Sequence, residues 1–434
     1  MNTTRYAAAI ISLVGVLVVG SAPALGGGMT ATQQSATASG MASAYTAIAD
    51  TPAAGYFNPA GLATQTGLGA ELGGTFTMGI GAYRGIAPGT QTEVTVEGAE
   101  PYPLVHGHIA YRIHDRVAAG FSVYTPFGLG AAWPETVNVD GAETAWWGRG
   151  AAQAFSMFMI TLNPNVAVKL HDRVYVGGGV MVTKGVMNLE RAMTFSADDA
   201  DDLDVKMSVE GWGVTANAGV LVKILPGILN FGATYKSAAT LTLAGDVVYT
   251  QGGSADFSPS LRTIALDGTV EVEVPIPHSV SFGVAAFPVE GLTVALGIDY
   301  EHWSRWDRYR FNFVDNPAIG QVADPRSWEN TITLRVGAEY RVLPYLPVRA
   351  GFIFEQSSVP DILRAPDSPN SDQYEGTVGL GYTIKGFRAD LAYMFRSTAG
   401  FVDAPEGAYL DGAYRLMMHA VCLTAGYKLD VGSL

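Results

Sequence analysis

The sequence predicts an all-β protein, a transmembrane antiparallel β-barrel of about fourteen strands. Three observations support this prediction. Apolar and polar residues alternate in many segments between residues 68 and 429. Short turns and long polar loops alternate between those segments, and an apolar stretch of the kind that directs secretion precedes them.

Residues 1–26 are expected to be a signal peptide. Arg5 supplies a positive charge, an apolar run extends from Ala7 to Gly20, and a small-x-small cleavage motif occupies residues 22–24. The run is shorter than the roughly 20 residues of a membrane-spanning helix. Later apolar runs are shorter still, so only a closed barrel could cross a bilayer.

Residues 27–67 are rich in Ala, Gly, Ser and Thr and contain few large apolar side chains before Tyr56 and Phe57. Such a segment cannot form a hydrophobic core alone, so it is either a free tail or packed inside something. A barrel of about fourteen strands has a lumen wide enough to need filling. We therefore expect the barrel at 68–434, and both interpretations of residues 27–67 stay open at this point.

The alternation is clearest late in the chain. In residues 387–396, Phe387 and Leu391 alternate with Arg388, and residues 331–342 repeat the pattern. Successive side chains of a strand face opposite sides of the sheet. One apolar face and one charged face predict strands with lipid outside and a polar lumen inside.

Two turns are nearly identical, because residues 113–117 read Ile-His-Asp-Arg-Val and residues 170–174 read Leu-His-Asp-Arg-Val. Short links of this kind alternate with long polar stretches, as in barrels with short periplasmic turns and long external loops. The expected strands are 68–84, 103–113, 116–124, 152–170, 173–187, 206–224, 228–243, 269–287, 292–313, 329–342, 347–357, 374–384, 387–396 and 415–429.

Composition narrows the class of protein further. The excess of Gly and Tyr, 52 and 20 residues, suits tight turns and interfacial aromatic girdles. A net charge of -14 argues against nucleic acid as a partner, because phosphates need a basic face. The single cysteine, Cys422, excludes an internal disulfide.

Several segments resemble those of a known family. The stretch from Ser39 to Asp50, followed by Asn58-Pro59-Ala60-Gly61-Leu62, is similar to the N-terminal hatch of the FadL/TodX outer-membrane transport family. Further similar segments follow in the same order, at residues 124–130, 147–149, 162–167, 299–304, 349–352, 358–361 and 366–368.

The resemblance implies a monomeric barrel of fourteen strands in the outer membrane of a Gram-negative bacterium, with residues 27–67 as the hatch in its lumen. It implies passive uptake of hydrophobic molecules, long-chain fatty acids in one branch and aromatic hydrocarbons in another. The ligand would land in a groove between external loops, reach a lumen pocket and leave sideways through a gap gated by the hatch. The implied partners are these molecules, outer-membrane lipid and lipopolysaccharide, and no cofactor is implied.

The candidate gating residues are Asn58, Pro59, Ala60 and Gly61. Proline fixes its own backbone and restricts the residue before it, whereas glycine is free. A rigid corner beside a flexible one suits a plug, and an ordinary turn without a role in gating is the alternative.

The candidate ligand-binding aromatic residues are Trp146, Trp147, Phe155 and Phe158. With Trp133 they are expected to form an exposed apolar patch on an external loop. Anchoring at the membrane interface is the alternative interpretation.

Two lumen bases, Arg335 and Arg388, are candidates for binding a fatty-acid carboxylate. For most lumen bases, including Lys169 and Arg341, the preferred alternative is pairing with lumen acids, namely Asp299, Glu339 and Asp390. The fatty acid is the favoured ligand, with a neutral hydrocarbon as the alternative, because a buried carboxylate needs only one or two cationic partners.

Other chemistry has weaker support. His106 and His108 share a strand face and are expected to form a lumen hydrogen-bonding pair, because a zinc site would need further ligands. The acidic run at residues 198–204 lacks the Gly and Glu of an EF-hand loop. We find no Gly-x-Ser-x-Gly motif and expect no enzyme. A general diffusion porin is a further alternative, and residues 27–67 argue against it.

Overall fold

The structure is a computed structural model. It describes residues 30–85, 90–96, 102–193, 203–251, 267–317, 319–400, 402–403, 410 and 412–429. The expected signal peptide lies outside these residues.

The wall contains fourteen antiparallel strands, four of which are interrupted. The strands are β1 Leu68–Gly85, β2 Tyr102–His114, β3 Val117–Ala132, β4 Ala154–His171, β5 Val174–Met193, β6 Leu203–Leu225, β7 Leu229–Lys236 with Ala239–Gln251, β8 Gly268–Ile276 with Ser279–Ala286, β9 Leu292–Glu301 with Arg308–Phe313, β10 Gln321–Pro325 with Thr331–Leu343, β11 Leu346–Glu355, β12 Gln373–Ile384, β13 Phe387–Thr398 and β14 Gly412–Leu429.

The barrel closes where β1 pairs with β14. This ladder is in register from Leu68 opposite Leu429 to Gly85 opposite Gly412. On its other side β1 pairs with β2, so the first strand has a neighbour at each edge. Complete closure satisfies the strand backbone within the wall, which is what a lipid environment requires.

The two faces of the wall match the predicted alternation. Phe387, Leu391 and Phe395 are exposed on the outside, whereas Asp390 and Arg396 are buried inside. Exposed rings form two outward belts, which correspond to the interfacial girdles of membrane barrels. Near the short turns these rings are Tyr340, Tyr345, Tyr382, Phe387 and Tyr427, and toward the long loops they are Trp212, Tyr235, Tyr300, Tyr374 and Tyr393.

Several strands extend beyond their predicted ends, because polar stretches that read as loops continue the ladder. On the outer face of β5 and β6, Lys184 pairs with Glu210 at 2.8 Å and Lys206 with Glu190 at 2.9 Å. An outward charge pair fits water rather than lipid, so the wall here rises above the membrane. Residues 136–145 were also expected to be loop and form a small hairpin.

The two matching turns have matching geometry. His114 accepts a hydrogen bond from the Arg116 backbone at 3.3 Å, and His171 accepts the equivalent bond from Arg173 at 3.3 Å. Within the described part of the chain, no helix is long and apolar enough to span a membrane.

Candidate functional site

The hatch, residues 30–67, lies inside the barrel and is buried over most of its length. It contains two four-residue helices, α1 Ala36–Ser39 and α2 Ala54–Phe57, and a 3-10 helix, Pro59–Thr64. Its small side chains leave its backbone close to the wall. The wall therefore provides the core that this segment cannot form alone.

Asn58 fixes the start of the 3-10 helix and ties it to the wall. Its side-chain oxygen accepts a hydrogen bond from the Ala60 backbone at 3.1 Å. Its side-chain nitrogen donates to the Thr46 carbonyl at 2.8 Å and to the Val220 carbonyl of β6 at 3.0 Å. The predicted gating turn is thus a fully buried anchor between hatch and wall, and gating by it remains a prediction.

Inward-facing glycines make room for the hatch backbone. A Cβ at Gly177 would lie 2.6 Å from the Pro59 carbonyl, and one at Gly337 would lie 2.8 Å from the Met41 carbonyl carbon. Several of these glycines face each other across neighbouring strands. We call them the glycine belt: Gly177, Gly219, Gly232, Gly283, Gly337, Gly351 and Gly379.

Wall side chains also bond to the hatch backbone around much of the barrel. Thr377 donates to the Gly40 carbonyl at 3.1 Å, and Asn217 donates to the Gly55 carbonyl at 3.0 Å. Further bonds to hatch backbone atoms come from Thr75, His108, Asn230, Thr234, Arg335 and Thr424.

A chain of buried charges joins the hatch to the wall near the periplasmic turns. Glu71 accepts a hydrogen bond from the Ala53 backbone at 2.7 Å and pairs with Arg388 at 2.7 Å. Arg388 also pairs with Asp390 at 2.7 Å, and Asp390 pairs with Arg349 at 2.7 Å. Below this chain opens a cavity of about 1050 Å³ at the barrel mouth.

His106 and His108 form the predicted lumen pair, with ring centroids 5.9 Å apart. His106 bonds to Thr424 at 2.9 Å, and His108 bonds to Ser122 at 2.9 Å and to the Gln34 carbonyl at 3.0 Å. They therefore support the hatch. Among the described residues no group of three or more potential metal ligands comes together.

The lumen toward the external loops holds a large cluster of buried apolar side chains, which we call the apolar cluster. Its aromatic part is built on Trp303, Trp306 and Trp328, with the rings of Trp306 and Trp328 stacked at 4.9 Å. Four flexible methionines, Met157, Met159, Met187 and Met207, line another part and can repack around a guest. The other members come mainly from β4 to β9, including Leu189, Val205, Val209, Leu241, Leu243, Val247, Val270, Val272, Val274 and Phe311.

A small charged chamber of about 50 Å³, which we call the polar chamber, lies between the hatch and the apolar cluster. Glu301 links the two regions, because it accepts hydrogen bonds from Trp303 at 2.9 Å and from Thr30 at 3.1 Å. The ionisable side chains that line the chamber are Lys236, Asp299, Glu301, Arg335 and Glu355.

Residues 356–372, the external cap, fold inward over the apolar cluster. Every residue from 364 to 371 is buried, and Val359 belongs to the apolar cluster. Arg326 holds the cap through Asp367 at 2.7 Å, and Trp133 donates to the Pro366 carbonyl at 3.0 Å. This segment was expected to be an ordinary external loop, and no local pattern in its sequence marks its burial.

The expected exposed aromatic patch is wrong. Trp146 is 0% exposed and Trp133 is 3% exposed, and both pack with Tyr83 in a second apolar group near the external end. Phe155 points inward into the apolar cluster, whereas Phe158 lies on the opposite, outward face of β4. Trp147 borders the second group and not the apolar cluster. Strand alternation separates Phe155 from Phe158, and the hairpin at 136–145 folds the tryptophans against the wall.

The two candidate bases for a carboxylate have protein partners. Arg335 pairs with Asp299 at 2.6 Å, and Arg388 pairs with Glu71 and Asp390. Arg341 and Lys169 are also paired, with Glu339 and Asp172. Pairing with Asp299, Glu339 or Asp390 is therefore confirmed for Arg335, Arg341 and Arg388, whereas the partner of Lys169 is Asp172 of a short turn. Lys236 also lines the chamber and was not singled out from the sequence.

The strand register of the wall shifts in β3 beside the first hatch residues. The register between β3 and β4 shifts between Tyr124 and Phe127, and the β2–β3 ladder ends at Tyr124. Here the Ala31 backbone donates to the Pro126 carbonyl at 2.7 Å, and Thr30 forms a bridge with Phe127. Residues 198–202 of the acidic run lie outside the described residues.

Comparison with known proteins agrees with this architecture. The model of the family described as outer membrane protein transport protein (OMPP1/FadL/TodX) matches residues 17–429. A putative outer membrane protein of Neisseria meningitidis is 22% identical over 401 residues, which cover 83% of this chain and 84% of that protein.

Solved structures share the fold. A Pseudomonas aeruginosa FadL homologue superposes with a TM-score of 0.80 at 18% identity, over 92% of this chain and 99% of its own. The toluene transporter TbuX of Ralstonia pickettii gives a TM-score of 0.69 at 18% identity, over 91% and 98%. The toluene transporter TodX of P. putida gives 0.66 at 18% identity, over 88% and 95%.

Proposed function

The chain belongs to the outer membrane transport protein family OMPP1/FadL/TodX, and we propose that its preferred ligand is a long-chain fatty acid. It is an outer-membrane channel for hydrophobic compounds and not an enzyme. Uptake of a neutral hydrocarbon, as in the toluene transporters of similar fold, is the second candidate.

One observation carries the proposal: the apolar cluster meets the polar chamber at the contact between Trp303 and Glu301. A fatty acid has an apolar tail for the first region and a charged head for the second. A hydrocarbon has no polar group that could bond to the chamber, so it gains nothing there. The amphipathic lumen therefore favours an amphiphile.

The proposed route uses three features of the lumen: the external cap, the apolar cluster and the register shift in β3. The ligand passes the external cap, settles in the apolar cluster and leaves sideways at the β3 register shift, where Thr30 and Ala31 contact the wall. We propose that the protein acts as a monomer. The pairing of β1 with β14 supports this, because it leaves no free sheet edge through which a second copy could add a strand. Outer-membrane lipid and lipopolysaccharide surround the wall.

The test of ligand class compares a long-chain acid, its methyl ester and toluene on the purified protein. We expect the acid to bind at least about tenfold more tightly than the ester, a difference of about 1.4 kcal/mol. Equal binding of acid and ester, or tighter binding of toluene, would overturn the fatty-acid proposal in favour of the hydrocarbon.

The route can be tested by linking the hatch to the wall with a disulfide. Residues opposite each other on antiparallel strands are close enough for a disulfide, so Thr30→Cys with Phe127→Cys should crosslink. We expect the oxidised double variant to stop uptake and the reductant to restore it, with each single variant as control. Normal uptake by the oxidised protein would place the exit elsewhere.

A further inference from the structure

Lys236 stands apart from the other bases of the polar chamber. Its ammonium nitrogen lies 3.6 Å from the centroid of the Tyr56 ring in the hatch. Within the described part of the chain it forms no ion pair, whereas Arg335 pairs with Asp299 and Arg396 pairs with Glu355 and Glu375. It is the last residue before the break in β7.

The acids around Lys236 are already engaged. Asp299 is held by Arg335, and Glu355 by Arg396 at 3.1 Å. Glu301 accepts hydrogen bonds from Thr30 and Trp303. The Lys236 ammonium has three hydrogen-bond donors on a flexible side chain, and its charge contacts only the face of an aromatic ring.

We infer that Lys236 binds the carboxylate of the ligand and that this contact releases Tyr56, so that ligand binding loosens the hatch. The inference rests on the proposed fatty-acid function. A charge-assisted hydrogen bond to a carboxylate is stronger than contact with a ring face, so an incoming head group displaces Tyr56 from the ammonium.

Tyr56 is well placed to pass this change to the hatch. It lies in α2, its ring contacts Phe57 and Tyr124 at 4.8 Å each, and its hydroxyl donates to the Ala31 carbonyl at 3.3 Å. The Ala31 backbone donates to the Pro126 carbonyl at the register shift in β3. Movement of one ring therefore reaches both the helix and the proposed exit.

The experiment measures binding of a long-chain acid and its methyl ester to the full-length protein. Lys236→Met should weaken acid binding at least about tenfold and leave ester binding unchanged. The matched control is Lys223→Met, because Lys223 also lies over a tyrosine ring, that of Tyr175 at 5.1 Å, but lines the periplasmic cavity. The control should bind both ligands as the native protein does.

A second variant tests the coupling. Tyr56→Leu removes the competing ring, so acid binding should become tighter, while Tyr56→Phe keeps the ring and should not tighten it. Hydrogen exchange at residues 53–57 should rise when acid is added to the native protein and should not rise in Lys236→Met.

The outcomes separate the two proposals. If the native protein shows no preference for acid over ester, the fatty-acid function fails. If the native preference exists and persists in Lys236→Met, only the role of Lys236 fails. If that preference is lost but hatch exchange does not respond to acid, the coupling through Tyr56 is wrong.

Discussion

Glu71 on β1 and Arg388 on β13 meet at 2.7 Å across the intervening strand β14, where Gly426 leaves the space. Because Glu71 also binds the Ala53 backbone, this pair clamps the hatch at the start of α2. We expect Glu71→Gln to loosen the hatch by about 3 kcal/mol, since Arg388 loses one buried partner. Hydrogen exchange at residues 50–57 measures this.

The matched control for that clamp is Glu93→Gln. Glu93 pairs with Arg84 and Arg415 near the external end, where its side chain is 34% exposed. Partly exposed pairs of this kind contribute about 0–1 kcal/mol, so hatch exchange should stay as in the native protein. Equal exchange in the two variants would show that the clamp does not hold the hatch.

Deleting residues 30–60 should leave a folded barrel, because the β1–β14 ladder closes without the hatch. Ion conductance in planar bilayers should rise, and uptake of hydrophobic compounds should lose selectivity. Heat-modifiable gel migration checks that the wall is intact. A folded deletion variant that stays closed to ions would mean that the hatch is not the seal.

Filling one position of the glycine belt should displace the hatch from inside. A Cβ at Gly219 would overlap the Asn58 side chain and lie 2.9 Å from the Pro59 ring. We expect Gly219→Val to cost about 1–3 kcal/mol and to raise conductance. Gly376→Val is the control, because a Cβ there meets nothing within 4 Å. Similar conductance in both variants would contradict the close fit.

The external cap should open when its ion pair is removed. Arg326→Gln loses the contacts with Asp324 and Asp367, both at 2.7 Å, so residues 356–372 should become accessible to protease and ligand should bind faster. Arg308→Gln, which removes an exposed pair with Asp307, should change neither. Faster proteolysis without faster binding would show that the cap does not limit access.

The lipid face can be tested at Leu391, which lies between the aromatic belts marked by Phe387 and Tyr393. Leu391→Arg should destabilise the barrel by about 2–4 kcal/mol, as expected near the bilayer midplane, whereas Phe387→Arg at the interface should cost about 0–1 kcal/mol. Denaturant unfolding in lipid vesicles measures both. A cost that does not depend on depth would contradict the assigned membrane position.

The strands of the wall could be predicted because lipid on the outer face imposes a two-residue period of apolar side chains, which is visible in the sequence. The predicted strands were too short where the outer face is no longer in lipid. Around Lys184 and Glu210 the outer face meets water, the apolar period disappears, and strand residues were read as loop. The nearly identical turns at His114 and His171 could be recognised because the same short sequence occurs twice, and both copies have the same local geometry.

The site was less predictable because its contacts join residues far apart in sequence. Pairing of Arg335 with Asp299 could be anticipated from charge balance, but burial of Trp146 and inward folding of the external cap depend on contacts between distant loops. Lys236 looked like any strand lysine. Only its position over Tyr56, separated by 180 residues, distinguishes it.

The glycine belt limits which hatches can be combined with this barrel, both in engineered proteins and in the evolution of the family. Each of these glycines leaves space for a particular group of the hatch, such as the Pro59 carbonyl at Gly177 or the Met41 carbonyl at Gly337. A hatch transplanted from a relative with different bulk at those points would collide with this wall. The hatch and the barrel must therefore be exchanged together. The junctions of a chimera should lie outside both segments and not between them.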